Sequence, residues 1–291
     1  MRVKIWSRAF RLHQWVKNLL LFVPVLTAHR PVSVALVLRG FQSFVAFGLC
    51  ASAVYLFNDL VDLKADRLHP TKSRRPLAKG QVSAAWMIVL SLAFILVSIG
   101  WARLLSLNYF LILSLYVILN IAYTLLLKRV VLLDALCLAS LYSLRIFAGG
   151  SVFNVAVTAW LIAFSMFLFL SLALAKRAAE LHNFTGSIQQ NLSGRGYFPD
   201  DAATVQALGA SSGCMAVLVL ALYIHHPDVS LLYRHPDRLW LICPAIFYWI
   251  GRIWLITGRG RMNEDPVLFA LSDPPSYAVG VLSLIILSAA R

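Results

Sequence analysis

The chain has 291 residues, of which 60% are apolar and only 13% charged, with a mean hydropathy of +0.78. That mixture excludes an ordinary soluble domain and reads as an all-α integral membrane protein. The net charge of +14 comes without any soluble basic module. Cations beside apolar spans are the normal outcome of topology and anionic headgroups, so membrane lipid and no nucleic acid is the expected partner.

In chain order, a basic stretch, "MRVKIWSRAFRLHQWVKN", leads into the first apolar run with no convincing small-residue cleavage site, so it is expected to stay as the first helix. Apolar runs between polar breaks then give spans near residues 15–30, 33–57, 84–102, 107–126, 131–149, 156–175, 204–224, 238–256 and 274–290. The expectation is one domain over residues 1–291, a bundle of about nine transmembrane helices. Placing the N-terminus inside puts 19 of the 26 Lys and Arg on the inner side, the asymmetry of the positive-inside rule. Arg30, Arg39, Arg103, Arg234, Arg238 and Arg291 fall outside, and Arg145 is left within a span. Two inner segments, 58–83 and 176–203, are longer than a turn requires, and long connections between packed helices are more often functional than connective. Cys50, Cys137, Cys214 and Cys243 lie far apart and read as small apolar residues; His13, His69 and His182 share no ligand spacing.

The first long inner segment, "NDLVDLKADRLHPTKSRRPLAKG", holds three aspartates and six Lys or Arg. If the second helix continues past Phe57, then Asn58, Asp62 and Asp66 fall at i, i+4 and i+8 along one face with Asp59 on its shoulder. Nearby carboxylates beside a low-dielectric region repel unless a cation joins them, and oxygen-only ligands favour Mg²⁺. A solvated network with Lys64, Arg67 or Lys72 is the simpler alternative, but it leaves the four-residue step unexplained. Pro70 and Pro76 argue against one continuous helix through the basic tail. Beside a carboxylate row, that tail suits a clamp for a diphosphate.

Further along, "YTLLLKRVVLLD" gathers Tyr123, Lys128, Arg129 and Asp134 between the fourth and fifth spans, where Lys128 and Arg129 also read as topological anchors. Arg145 lies deep in an apolar segment, where an unpaired guanidinium is expensive; a pair with Asp134 and a contact to substrate are the two readings. "LALAKRAAELHN" sets Lys176 and Glu180 at i, i+4 with Arg177 on a neighbouring face. Lys17 and Asn18 stand where the first span enters the membrane, and Asp200 and Asp201 suit the start of the seventh helix.

The motif N-D-x-x-D-x-x-x-D met by Asn58, Asp59, Asp62 and Asp66 resembles the first signature of the UbiA-type superfamily of intramembrane prenyltransferases. "QWVKN", "LLLKRVVLLDALCLASLYSLRIFAGG" and "KRAAEL" look most like its decaprenyl-phosphate phosphoribosyltransferase branch. Aromatic prenyltransferases of the superfamily carry a second aspartate-rich motif after the sixth helix, where this chain has Lys176, Arg177 and Glu180. The resemblance implies transfer of 5-phosphoribose from phosphoribosyl diphosphate to a polyprenyl phosphate, in an integral cell-membrane protein with a cytoplasmic site. It also implies Mg²⁺ on Asn58, Asp59, Asp62 and Asp66, with Asp62 and Asp66 as catalytic residues. Substrate contacts would come from Lys17, Arg67, Lys72, Arg74, Arg75, Tyr123, Lys128, Arg129, Arg145, Lys176, Arg177 and Glu180. Aromatic prenyl transfer from a polyprenyl diphosphate, and membrane transport, are the alternatives.

Overall fold

A computed structural model describes residues 2–28, 33–68, 71–184, 195–262, 265–270 and 272–291. Arg30, His69 and Pro70 lie outside these residues, as does 185–194 of the second long inner segment. Among the described residues every regular element is helical. The chain divides into two compact units, residues 1–130 with 141–157, and residues 131–140 with 158–291.

The first unit opens with α1 (Arg2–Ala9), a tight 3₁₀ stretch (Leu12–Phe22) and α2 (Val23–Thr27). It continues with α3 (Val34–Val61), α4 (Leu63–Leu68), α5 (Ala84–Leu105), α6 (Leu107–Leu125) and the C-terminal part of α7 (Leu133–Phe153). The second unit contains the first turns of α7, then α8 (Ala159–His182), α9 (Ala202–His225), α10 (Pro227–Leu232), α11 (Ile242–Gly258), α12 (Pro266–Ala270) and α13 (Pro274–Ala290).

Seven described helices are long and apolar enough to cross a membrane, and they match the second to eighth expected spans. The two ends differ from the simple count of nine. The last span, α13, has 17 residues. The first is a 3₁₀ run of 11 residues followed by a short helix of 5. At about 2.0 Å per residue in the 3₁₀ part and 1.5 Å in the helix, its reach is about 30 Å, the thickness of a hydrocarbon core. Among the described residues the N-terminal run is nonetheless not one of the seven helices long and apolar enough to cross, and the expected count of nine is approximate.

Helix starts carry the side-chain caps that a backbone entering an apolar region requires. Ser33, Ser83, Ser106 and Thr158 each accept the amide hydrogen three residues on, at 3.2–3.4 Å, and Asp273 accepts that of Ser276 at 3.0 Å. Ser106 ends α5 and begins α6, making the turn between them a single residue. In the second unit Arg252 grips Asp273 with two nitrogens, at 2.6 and 2.8 Å, tying α11 to the start of α13.

Packing in apolar surroundings relies on close approach of small residues. Gly48 of α3 lies under the indole of Trp15, and a side chain on Gly149 of α7 would run onto the Leu21 carbonyl. Gly149→Ala is therefore expected to destabilise the protein by about 1–3 kcal/mol, the usual cost of overpacking. Gly251→Ala, where a methyl meets nothing within 4 Å, is the control and should be neutral or slightly stabilising in thermal unfolding in detergent.

Candidate active site

The expected row of acidic residues forms at the C-terminal end of α3. The helix pauses at Asp62, which has φ −88° and ψ 3°, and resumes as α4. Backbone bonds from Asp62 N to Asn58 O (2.9 Å) and from Asp66 N to Asp62 O (2.8 Å) preserve the four-residue step across the pause. α4 ends at Leu68, and Pro76 lies in the turn that follows.

The four side chains do not act as one set. Asp59 and Asp66 are buried, at 3% and 4% exposure, and converge on one nitrogen of Arg75. Arg75 Nη1 lies 3.1 Å from Asp59 Oδ1 and 2.5 Å from Asp66 Oδ2. Arg11 Nη2 donates to the same Asp59 oxygen at 2.5 Å, while its guanidinium lies over the Tyr55 ring at 4.9 Å. Asp62 instead accepts from Lys128 Nζ at 2.5 Å, and Asn58 Oδ1 accepts from Thr124 Oγ1 at 3.2 Å. Three carboxylates thus face three cations from three parts of the sequence. Burial pushes the Asp66 carboxyl above its ordinary value; Arg75 and Lys72 pull it down, and neighbouring Asp59 pushes it up.

Arg11 was not singled out by the sequence, where it is one of several N-terminal cations. Its backbone is left-handed, φ 50° and ψ 47°, a conformation costly for a residue with a Cβ. That conformation starts the 3₁₀ stretch, and its ion pair with Asp59 helps hold it.

Other candidates take their places in the first unit. Arg67 and Arg74 are exposed, Lys72 is half-buried in the turn Lys72–Arg74, Arg129 is exposed, and Tyr123 is half-buried on α6. Lys17 is buried with its ammonium over the Tyr142 ring at 5.4 Å. Arg145 is not paired with Asp134. Its donors reach Asn18 Oδ1 (3.2 Å), the Leu141 carbonyl (2.7 Å) and the Tyr116 hydroxyl (3.0 Å), and Phe47, Tyr116 and Tyr142 surround its guanidinium. Neutral acceptors and aromatic faces thus stand where the first of the two readings placed Asp134.

In the second unit the end of α8 forms a different network. Arg177, wholly buried, has Nε 2.5 Å from Asp134 Oδ2 and also pairs with Glu180. Arg195 Nε lies 3.1 Å from Glu180. Tyr197 donates to Asp134 Oδ1 at 2.6 Å and accepts from Leu132 N at 2.9 Å. Burial, with the Asp134 charge adding, raises the Tyr197 phenol above its usual range. Glu180 therefore turns to Arg177 and Arg195, where the sequence suggested Lys176. Arg177 is enclosed by protein. Leu132, with φ 65°, is a second left-handed residue braced by a polar network. Asp201 accepts the Phe198 amide hydrogen at 2.9 Å, in the short turn Pro199–Asp201 that precedes α9.

Among the described residues no three His, Cys, Asp or Glu side chains gather as a metal set. The Asp59 and Asp66 pair nevertheless fits a hard divalent cation in its chemistry. Both are oxygen donors, both are buried, and both already face one shared positive group.

The UbiA prenyltransferase family profile matches residues 19–271. The chain belongs to this family. It is a membrane transferase of the UbiA type. A nodulation protein, NoeC, of Azorhizobium caulinodans is 33% identical over 279 residues, covering 93% of this chain and 88% of the relative. The uncharacterized protein y4nM of Sinorhizobium fredii is 38% identical over 281 residues, covering 96% of this chain and 54% of the relative. A decaprenyl-phosphate phosphoribosyltransferase of Mycobacterium tuberculosis is 35% identical over 179 residues, 60% of this chain and 59% of the relative. The chain thus spans little more than half the length of two of these relatives.

The UbiA fold also appears in solved structures. A UbiA homologue from Archaeoglobus fulgidus bound to DMAPP and Mg²⁺ superposes with a TM-score of 0.72 at 19% identity, covering 98% of both chains. A digeranylgeranylglyceryl phosphate synthase gives 0.65 at 12% identity, over 99% of this chain and 95% of the other. At such identities these likenesses show the fold alone.

Proposed function

We propose that the chain is a magnesium-dependent transferase that moves 5-phosphoribose from phosphoribosyl diphosphate to a polyprenyl phosphate, releasing diphosphate on the cytoplasmic side. The observation that carries this reading is the pair of buried carboxylates, Asp59 and Asp66, converging on one nitrogen of Arg75. Two carboxylates are the usual protein share of a magnesium site, the remaining ligands being water and substrate phosphate. Magnesium held there by Asp59 and Asp66, with Asp62 and Asn58 alongside, would neutralise the leaving diphosphate.

The chain's own residues supply the rest. Arg67, Lys72, Arg74 and Arg75 follow the carboxylates closely in the sequence and would present cations to phosphate oxygens. Lys17, Lys128, Arg129 and Lys176 are further candidates, with Tyr123 near Lys128 in sequence. The acceptor phosphate is already an anion and needs no strong base to attack the ribose anomeric carbon. Arg177, Glu180 and Arg145 brace their helices in this reading and do not touch substrate.

The ribosyl donor is favoured by the likeness to decaprenyl-phosphate phosphoribosyltransferase and by the absence of a second aspartate-rich motif after α8. Aromatic prenyl transfer is the second reading, favoured by the DMAPP and GPP bound to the Archaeoglobus fulgidus homologue. Purified protein given labelled phosphoribosyl diphosphate with polyprenyl phosphate should form a lipid-linked product with Mg²⁺ and none with EDTA. Product only from prenyl diphosphate and an aromatic acid would overturn the assignment.

A further inference from the structure

Asp59 and Asp66 already face the guanidinium groups of Arg11 and Arg75, and the positive charge of Lys72 also acts on Asp66, so the two carboxylates are compensated by the chain's own cations. A divalent cation entering the cluster would leave an excess of positive charge beside a low-dielectric region. One arginine must then leave the carboxylates or meet an incoming anion.

The two arginines are not equally able to leave. Arg11, whose side chain is 18% exposed, also lies over the Tyr55 ring, a second contact that it would lose on leaving. Arg75 stands at the end of the short turn Lys72–Arg74, in extended backbone with φ −64° and ψ 145°, and its side chain is 24% exposed. Its Nη1 is the group toward which both aspartates turn, and Asp59 and Asp66 are the residues that would hold a metal.

We propose that Arg75 is a resident counter-cation, seated on Asp59 and Asp66 in the metal-free protein and exchanged for the metal on loading. Released, its guanidinium turns toward the diphosphate that arrives with the metal. Metal and diphosphate binding are thereby coupled through one side chain, and the empty site is kept from holding two unbalanced buried carboxylates. No bond to carbon or phosphorus changes in the exchange; one ion pair is replaced by metal–carboxylate contacts. The inference rests on the metal assignment made above, and its test separates the two.

The full chain in detergent is titrated with Mg²⁺ alone, without substrate, and thermal unfolding is followed. Arg75→Gln should unfold at a lower temperature than the parent protein in EDTA, because two buried carboxylates lose their shared partner. Magnesium should close that gap, and half-saturation should come at about tenfold lower Mg²⁺ than in the parent, since no ion pair has to be broken first. Arg75→Lys, which keeps the charge, should fall between the two and serves where Arg75→Gln fails to fold in EDTA. Inorganic diphosphate added to the Mg²⁺-loaded protein should bind the parent more tightly than Arg75→Gln. A gap that persists unchanged in saturating Mg²⁺, or an unchanged half-saturation point, would overturn the exchange and leave Arg75 a simple staple. In parallel, Asp66→Asn should lose the Mg²⁺ response; if it keeps that response in full, the metal assignment itself fails.

Discussion

Asp66→Asn is expected to lower turnover by about 10³-fold, the scale seen when an electrostatic contact to a developing charge is removed. Expression and helical content should change little. Asparagine keeps an oxygen acceptor in the same place, and Arg75 retains Asp59 as a partner. Asp62→Asn should also stop turnover, and there the change reaches Lys128 as well, through the 2.5 Å contact between them. Steady-state assay with both substrates, beside circular dichroism and detergent thermal unfolding, separates a lost site from a lost fold. Near-normal activity in either variant would remove that aspartate from the catalytic assignment.

Arg177→Met should behave in the opposite way, with a large loss of stability and little change in substrate affinity of the molecules that remain folded. Arg177 and Asp134 are both fully buried, and removing one partner of such a pair costs about 3–5 kcal/mol, because the other charge stays behind uncompensated. Part of the penalty is softened by Tyr197, which still donates to Asp134, and by Arg195, which still reaches Glu180. Denaturant titration in mixed micelles would measure the loss, and KM for phosphoribosyl diphosphate would measure the site. A normally stable variant with a raised KM would return Arg177 to the substrate.

Much of this arrangement was legible in the amino-acid order. The apolar runs located α3, α5, α6, α7, α8, α9 and α11, since a membrane helix needs only length and hydrophobicity to declare itself. The N-terminal span was legible as apolar but not as a 3₁₀ stretch. The four-residue step of Asn58, Asp62 and Asp66 survives in the backbone, yet periodicity could not say that Asp59 and Asp66 would turn inward together while Asp62 turned to Lys128. Partners such as Arg11 and Arg195 lie 48 and 15 residues from theirs, and such distances are set by how helices pack. The "GRG" around Arg195 was the one local hint, two small residues flanking a cation. For Arg145 the sequence signals the cost of a buried charge, but its partners, Asn18, a carbonyl and three aromatic rings, are neutral and leave no charge pattern in the amino-acid order.

The one-residue turn at Ser106 has a bearing on how this protein can be handled. Its amide hydrogen closes α5 on the Ala102 carbonyl while its hydroxyl opens α6, so there is no slack in which to place an extra residue. Epitope tags, protease sites or fluorescent reporters inserted there would have to unwind one helix or the other. Such probes belong elsewhere in the chain, since α5 and α6 share their one connecting residue and form a tight helical hairpin.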